Sequence, residues 1–182
     1  MSAKDESIDP VLMQKARQIT LLAMDVDGVL TDGKLHYGEQ GELYKSFSIK
    51  DGLGIKLLQR SGVACAVITG RASSATLHRC KELGIEHIVQ GREDKATALR
   101  ELCETLQIDL EHSAYIGDDW PDIGAIVAAG VGAAVVDAHP EVTSRADWVS
   151  RTAGGFGAVR EFCDFLLQCR EQYHQALNTH LE

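Results

Sequence analysis

Acidic side chains are concentrated directly after an apolar run near the amino terminus. The stretch LLAMDVDGVLTDG, residues 21–33, carries Asp25, Asp27 and Asp32 together with two glycines. Carboxylates packed together raise one another's pKa unless a cation compensates their charge. A hard divalent ion is the natural compensation, and Mg²⁺ is typically held by one or two carboxylates, waters and a phosphate of the substrate. The spacing therefore predicts a cation site. Asp32 is expected to shape the turn that follows.

Four apolar runs end in residues that can act together. Ligands of open α/β sheets bind beyond the carboxyl ends of the strands, so side chains at these ends converge. The residues are Asp25 and Asp27 after the first run, Thr69, Gly70 and Arg71 at the end of the second, Lys95 at the start of the helix after the third, and Asp118, Asp119 and Asp122 after the fourth. We expect these carboxylates, backbone amides, hydroxyl and lysine to form one site.

The chemistry that suits this set is phosphoryl transfer. Asp25 can attack phosphorus to give an aspartyl phosphate. Asp27 can protonate the leaving oxygen and then deprotonate the water that hydrolyses the intermediate. The Thr69 hydroxyl and the Gly70 amide can donate hydrogen bonds to phosphoryl oxygens, and Lys95 adds a positive charge. A bound Mg²⁺ cancels the repulsion between the anionic nucleophile and the anionic phosphate.

The alternation of apolar runs with helical patterns predicts an α/β fold. Runs that are apolar throughout are typical of strands buried on both faces, and the expected strands are 19–26, 63–69, 86–90, 113–117 and 132–136. The expected helices are 52–60, 73–83, 94–107, 120–129 and 157–176. Such alternation implies right-handed crossovers. We expect a Rossmann-like open, mostly parallel sheet with helices on both faces.

One segment interrupts this rhythm. Residues 34–48 have no helical period, and two β-prone arms flank the turn-like centre Gly-Glu-Gln-Gly, which predicts a projecting β-hairpin. Only about forty residues separate Asp27 from Thr69, too few for a cap domain in addition to the hairpin and a helix. We expect a single domain over residues 1–182 with no cap domain, a core at about 18–172 and frayed ends.

Composition excludes several classes of protein. The net charge of −9 argues against a nucleic-acid partner, and no apolar run approaches the ~20 residues of a membrane span. The opening MSAKDESIDP is polar and acidic, unlike a secretory signal, so a cytoplasmic location is expected. The five cysteines include no CxxC pair and are expected to be free, buried thiols.

The motifs D-x-D-G-x-x-T-D-G, T-G-R, a lysine and G-D-D-x-x-D follow one another between residues 25 and 122. In this order they resemble the haloacid dehalogenase superfamily. The resemblance implies that Asp25 is the nucleophile and Asp27 the acid/base, and it indicates a phosphatase or phosphomutase. It also implies that Mg²⁺ is held by Asp25, the backbone carbonyl of Asp27 and Asp118.

The remaining residues of these motifs are less closely defined. Asp119 and Asp122 are expected to orient the metal ligands without binding the ion themselves. Asp122 could instead lie in the first turn of a helix after Pro121, where an acidic residue suits the helix dipole. Arg71 could contact substrate or form an ion pair at a helix start.

A closer resemblance is carried by YGEQGELYKSFSIKDGLGIKLL, GIEHIVQGREDK, AYIGDDWPD, VVDAHP and GGFGAVREFCDFLL. These segments are similar to the 3-deoxy-D-manno-octulosonate (KDO) 8-phosphate phosphatase family. The resemblance implies a capless, Mg²⁺-dependent homotetramer that hydrolyses a sugar-acid phosphate on the route to the lipopolysaccharide inner core. It further implies that hairpins of four subunits associate and that a neighbour's carboxyl-terminal tail covers the site. Phe156 departs from the pattern, because a polar residue, often arginine, is expected there.

Two alternatives stay open on the sequence. Phe156 leaves room for a nine-carbon, sialic-type sugar-acid phosphate as substrate. The second alternative is an inactive oligomeric binding domain of the same fold, against which the intact set of five site residues argues: Asp25, Asp27, Thr69, Lys95 and Asp118.

Overall fold

The central sheet of the protein contains six strands and is seen in a computed structural model that describes residues 9–181. The elements in chain order are α1 (Pro10–Arg17), β1 (Leu21–Met24), β2 (His36–Gly38), β3 (Gly41–Tyr44), α2 (Ile49–Arg60), β4 (Ala64–Thr69), α3 (Ser74–Leu83), β5 (His87–Gln90), α4 (Lys95–Leu106), β6 (Ser113–Gly117), α5 (Trp120–Ala128), β7 (Val131–Ala134), α6 (Pro140–Thr143), β8 (Trp148–Val149), α7 (Ala158–Cys169) and α8 (Tyr173–Asn178). The strand order is β5–β4–β1–β6–β7–β8, and all neighbouring pairs are parallel.

Side chains of β1 alternate between two cores, one on each face of the sheet. Leu22 and Met24 face the core that includes α2 and α7, whereas Leu21 and Ala23 face the core that includes α4 and α5. All four residues of β1 are buried, which explains why the run is apolar throughout. The predicted open, parallel α/β sheet with helices on both faces is confirmed.

The hairpin expected within residues 34–48 is present as the antiparallel pair of β2 and β3. Its turn closes at Gly41, whose φ of 106° is a conformation that glycine adopts without strain. The hairpin is the only insertion between β1 and α2, and residues 9–181 contain no separate cap domain. None of the helices described within this range is both long and apolar enough to cross a membrane.

Helices α1 and α8 lie near the two ends of the described residues. Helix α1 begins at Pro10, before the expected core at about residue 18, and the carboxylate of Asp9 accepts a hydrogen bond from Val11 N. Residues 1–8 and 182 lie outside the described residues. The predicted helix 157–176 is two helices, α7 and α8, because Glu171 adopts φ = 60° between them. The second of these extends to Asn178, into the end expected to fray.

Three short elements were missed by the sequence analysis, the eight-residue helix α1 among them. The sixth strand, β8, has two residues, and α6 has four. Periodicity needs a longer window than either element offers.

Candidate active site

The carboxyl ends of β4, β1 and β6 lie side by side because these strands are neighbours in a parallel sheet. Asp25 directly follows β1, Thr69 ends β4, and Asp118 directly follows β6. Lys95 begins α4, after the neighbouring strand β5. Residues that are far apart in the sequence are thus brought to one edge of the sheet, as the position of ligand sites in open sheets predicts.

Three carboxylates form a cluster at this edge, two of them buried and that of Asp118 partly buried. Asp25, Asp118 and Asp122 each offer an oxygen, and these oxygens lie within 4.8 Å of one another. Burial and the charge of Asp122 raise the pKa of Asp25 to about 7. Burial and the charge of Asp25 raise the pKa of Asp118 to about 8. The cluster therefore holds protons, or a cation, near neutral pH.

Lys95 supplies one positive charge to the cluster. Its buried ammonium lies 2.9 Å from Oδ1 of Asp25 and 2.6 Å from Oδ1 of Asp122. Burial by itself lowers the pKa of Lys95, but the two carboxylates outweigh burial and raise it. The lysine is therefore charged, and three carboxylates against one ammonium leave the ionised cluster negative.

Asp122 has both of its carboxylate oxygens occupied. Oδ1 accepts hydrogen bonds from Lys95 Nζ at 2.6 Å and from Tyr115 Oη at 2.7 Å. Oδ2 accepts from the backbone amides of Asp118 at 3.1 Å and Asp119 at 3.2 Å. Asp122 therefore holds the loop that carries Asp118, and it does so from the first turn of α5 after Pro121. Both roles that the sequence left open for Asp122 are consistent with this position.

Asp119 lies outside this cluster. It is exposed and forms the N-cap of α5, with Oδ1 accepting a hydrogen bond from Trp120 N at 2.8 Å. The carboxylate expected to support metal ligands thus contacts the helix start instead, and only its backbone amide reaches Asp122.

The donor set suits a hard divalent cation. With Asp122 satisfied, Asp25 and Asp118 are the acidic groups with oxygen atoms left to bind a metal, and carboxylate oxygens are preferred by Mg²⁺. Gly28 makes room for this arrangement, because a side chain at that position would collide with the carboxylate of Asp118. Its φ of 98° independently favours glycine.

The chain turns toward the hairpin at the end of β4. Thr69 is buried, and its hydroxyl accepts a hydrogen bond from Arg71 N at 3.4 Å. Gly70 lies between them and is partly exposed. The guanidinium of Arg71 donates to Tyr37 Oη at 2.9 Å and lies 3.8 Å from Oδ2 of Asp27. Arg71 thus forms its contacts with the hairpin and Asp27, not with the start of α3.

Three residues near Asp27 were missed by the sequence analysis. Lys45, just after β3, forms an ion pair with Oδ1 of Asp27, and it also lies 3.2 Å from Oε2 of Glu42. Ser73 donates to Oε1 of Glu42. The sequence does not indicate which side chain Lys45 contacts, because the orientation of a hairpin relative to the sheet is set by tertiary packing.

A glycine-rich loop before α7 packs against the loop that follows β1. Side chains at Gly154 and Gly155 would collide with the backbone of Gly28 and Thr31, and Gly155 N donates to Val29 O at 2.9 Å. Phe156, next in the loop, is 64% exposed. The sequence resemblance singled out this loop, but not its contact with the β1 loop.

Asp51 contacts the first turn of α7, directly after the glycine-rich loop. It is buried in α2, accepts a hydrogen bond from Arg160 N at 2.7 Å and has its pKa raised by burial.

The carboxyl-terminal helix α8 lies away from the site in its own chain. It lines a cleft with Arg60 and Ser61, which precede the amino end of β4, so in its own chain it is opposite the site.

Comparison with known proteins agrees with this geometry. The sequence model of the haloacid dehalogenase-like hydrolases matches residues 87–162, from β5 into α7. That match, the parallel sheet and the acidic cluster at its carboxyl edge define a haloacid dehalogenase-like hydrolase.

Relatives narrow the class further. The 3-deoxy-D-manno-octulosonate 8-phosphate phosphatase KdsC of Salmonella typhimurium is 44% identical over 169 residues, which are 93% of this chain and 90% of the relative. The phosphatase of the same name from Moraxella catarrhalis, crystallised with magnesium, phosphate and KDO, is 44% identical with a TM-score of 0.91, over 93% of this chain and 97% of that one. The cobalt-bound phosphatase from Haemophilus influenzae is 41% identical with a TM-score of 0.88, over 91% and 99%. The chain belongs to the 3-deoxy-D-manno-octulosonate 8-phosphate phosphatase family.

Proposed function

We propose that the protein is a Mg²⁺-dependent phosphatase that hydrolyses KDO 8-phosphate to the free sugar acid and phosphate, in the synthesis of lipopolysaccharide inner-core precursors. The observation that carries the proposal is the cluster of Asp25, Asp118 and Asp122 around Lys95, with Asp27 beside it. A relative with magnesium, phosphate and KDO bound at 44% identity supports the substrate.

Asp25 is the proposed nucleophile and Asp27 the proposed acid/base. A carboxylate oxygen of Asp25 forms a bond to phosphorus, and the bond from phosphorus to the sugar oxygen breaks. That oxygen keeps the electron pair and takes a proton from Asp27. Water then attacks the aspartyl phosphate and gives its proton to Asp27, the bond between Asp25 and phosphorus breaks, and inorganic phosphate is released.

The remaining site residues bind and orient the phosphate. Thr69, at the end of β4, and the amide of Gly70, which follows it, are proposed to donate hydrogen bonds to phosphoryl oxygens. Lys95 holds one oxygen of Asp25 at 2.9 Å and so orients the nucleophile while adding positive charge. Arg71, 43% exposed beside Asp27, is proposed to contact the sugar portion of the substrate.

Asp25, the backbone carbonyl of Asp27 and Asp118 are the proposed metal ligands. The raised pKa values of Asp25 and Asp118, caused first by burial, are consistent with a site that a cation completes. When bound, Mg²⁺ supplies charge that offsets the repulsion between carboxylate and phosphate.

The phosphatase proposal is tested by phosphate release with Mg²⁺. We expect the wild type to hydrolyse KDO 8-phosphate, Asp25→Asn to be inactive, and Asp27→Asn to lose about 10²–10⁴-fold in rate. If wild type and Asp27→Asn released phosphate equally poorly from KDO 8-phosphate and from p-nitrophenyl phosphate, the protein would be an inactive binding domain. A panel that includes a nine-carbon sugar-acid phosphate, compared by kcat/KM, tests the substrate.

Self-association as a homotetramer through the hairpin is part of the proposal. Large apolar side chains are exposed on and beside the hairpin, namely Leu35, Tyr37, Leu43, Tyr44 and Ile49. Large exposed apolar side chains concentrated around one element favour an interface. We expect light scattering after size exclusion to give a tetramer that Leu43→Glu dissociates. Val127→Glu, an equally exposed change on α5, should leave the tetramer intact. A monomeric wild type would contradict this part of the proposal.

We also propose that residues 1–182 form a single hydrolase domain with a core at about 18–172, and that it works in the cytoplasm. The five cysteines are free and buried, which suits a reducing compartment. Limited proteolysis should trim only the ends of a chain organised in this way.

A further inference from the structure

Lys45 is a lysine whose side chain the fold has almost entirely removed from water. The side chain is only 1% exposed, although the preceding hairpin residues Leu43 and Tyr44 are exposed. Burying an ammonium is costly unless it is paired. Lys45 is paired twice, with Oδ1 of Asp27 and, at 3.2 Å, with Oε2 of Glu42. The hairpin therefore delivers a fixed cation to the side chain proposed as the acid/base.

The two oxygens of Asp27 are treated differently by the structure. Oδ1 is taken by Lys45. Oδ2 is buried and has no hydrogen-bond partner among residues 9–181. The guanidinium of Arg71 lies 3.8 Å from Oδ2, which is beyond hydrogen-bond distance. A buried acceptor without a partner is unfavourable in the free protein and is a place where a substrate atom can be received.

Lys45 is itself held from its far side. Glu42, its second partner, accepts a hydrogen bond from Ser73 at the start of α3. The hairpin is also tied to the end of β4 by the hydrogen bond of 2.9 Å from Arg71 to Tyr37. The ammonium of Lys45 is therefore fixed relative to the sheet edge, and through it the carboxylate of Asp27 is fixed as well.

We propose that Lys45 is a positioning residue that holds Asp27 by Oδ1, so that Oδ2 faces the leaving oxygen of the substrate. The proposal rests on the proposed phosphatase function. Departure of a sugar alkoxide needs the proton from Asp27, because an alkoxide is a poor leaving group. Departure of p-nitrophenolate needs it far less. Loss of positioning should therefore slow hydrolysis of the sugar phosphate more than hydrolysis of p-nitrophenyl phosphate.

The experiment compares kcat/KM for KDO 8-phosphate and for p-nitrophenyl phosphate, since kcat/KM reports the steps up to departure of the leaving group. We expect Lys45→Met to lose about 10²-fold on the sugar phosphate, the lower end for a general acid, and less than about tenfold on the aryl phosphate. Lys45→Arg should recover most of the loss. Lys34→Met removes a hairpin lysine that is 71% exposed and is the matched control, expected to leave both values unchanged.

Equal losses on the two substrates would overturn the proposal, because a general structural defect has that signature. A raised KM with unchanged kcat on the sugar phosphate would overturn it too, because Lys45 would then bind substrate. If Lys45→Met does not fold, Glu42→Gln replaces it, because this variant weakens the contact that holds Lys45. The losses of kcat/KM on the two substrates are then compared in the same way. A wild type that hydrolyses other primary alkyl phosphates but not KDO 8-phosphate refutes only the proposed substrate. The losses of kcat/KM are then compared between such an alkyl phosphate and p-nitrophenyl phosphate.

Discussion

The ammonium of Lys95 lies 2.9 Å from Oδ1 of Asp25, and both side chains are almost fully buried. This contact gives the proposed nucleophile a fixed orientation and a partner charge. One ammonium does not neutralise three carboxylates, however, so the metal-free site depends on protonation. The contact therefore links the chemistry of the site to the pH dependence of its stability.

Metal-free protein should lose stability at this site as pH rises. The pKa of Asp25 is raised from 3.8 to about 7 and that of Asp118 to about 8, so between pH 4 and 8 the folded state binds more protons than the unfolded state. The contribution to the free energy of unfolding is therefore greatest below pH 4 and falls through pH 7–8. Urea denaturation in EDTA should show this decline, and Asp118→Asn should reduce it.

Magnesium should reverse that loss. At about 100 times its Kd a ligand of the folded state adds about 2.7 kcal/mol to the free energy of unfolding. Because Mg²⁺ competes with protons for Asp25 and Asp118, we expect the shift in Tm at a fixed Mg²⁺ concentration to be larger at pH 8 than at pH 6. An equal shift at both pH values, or one that persists in Asp118→Asn, would contradict the proposed ligands.

Asp122 should matter for stability as well as for activity. Asp122→Ala leaves Lys95, Tyr115 and two backbone amides without their acceptor, and breaking a buried pair in this way costs about 3–5 kcal/mol. Asp119→Ala removes only an exposed N-cap and should cost about 1 kcal/mol. Denaturant unfolding of both variants measures the difference. Similar losses would mean that the buried contacts of Asp122 contribute little.

Phe156→Arg should improve binding of the sugar-acid phosphate. Phe156 is exposed in a loop that packs on the β1 loop, so arginine at this position would add a cation near the anionic ligand. An exposed ion pair contributes about 0.2–1 kcal/mol, so we expect KM to fall by up to about fivefold with kcat unchanged. Val127→Arg, at an exposed position on α5, is the control for added charge. An unchanged KM in Phe156→Arg would place the loop outside substrate contact.

Much of the fold follows from local patterns in the sequence. Strands such as β1 and β4 are short apolar runs, and their parallel order brings Asp25, Thr69 and Lys95 together without further information. The break between α7 and α8 could not be predicted, because apolar residues at helical spacing continue on both sides of Glu171 and only its backbone conformation interrupts the helix.

The contacts around the site were less predictable than its strand ends. The pairing of Lys45 with Asp27 depends on how the hairpin leans over the sheet, which is a tertiary property. The same is true of Gly154 and Gly155, whose requirement for glycine comes from another loop. The sequence therefore predicts residues at the strand ends better than it predicts what is folded over them.

The contact between the glycine-rich loop and the β1 loop can be tested with two matched alanines. Gly155 and Gly91 share φ = 73°, so alanine meets a left-handed backbone conformation at both positions. A side chain at Gly91 would meet nothing within 4 Å, whereas at Gly155 it would collide with Thr31 and Asp32. Gly91→Ala should therefore cost only the strain, about 1 kcal/mol. Gly155→Ala should lower the free energy of unfolding further, because it also displaces the loop that carries Asp27.

That displacement should appear in catalysis. We expect Gly155→Ala to lower kcat on KDO 8-phosphate by at least about tenfold, because misplacement of a catalytic group by about 1 Å can cost 10²-fold. Gly91→Ala should leave kcat near the wild-type value. Steady-state kinetics with saturating Mg²⁺, at a temperature where thermal unfolding shows both variants folded, separates the effects. Equal kcat in the two variants would mean that the glycine-rich loop does not position the β1 loop.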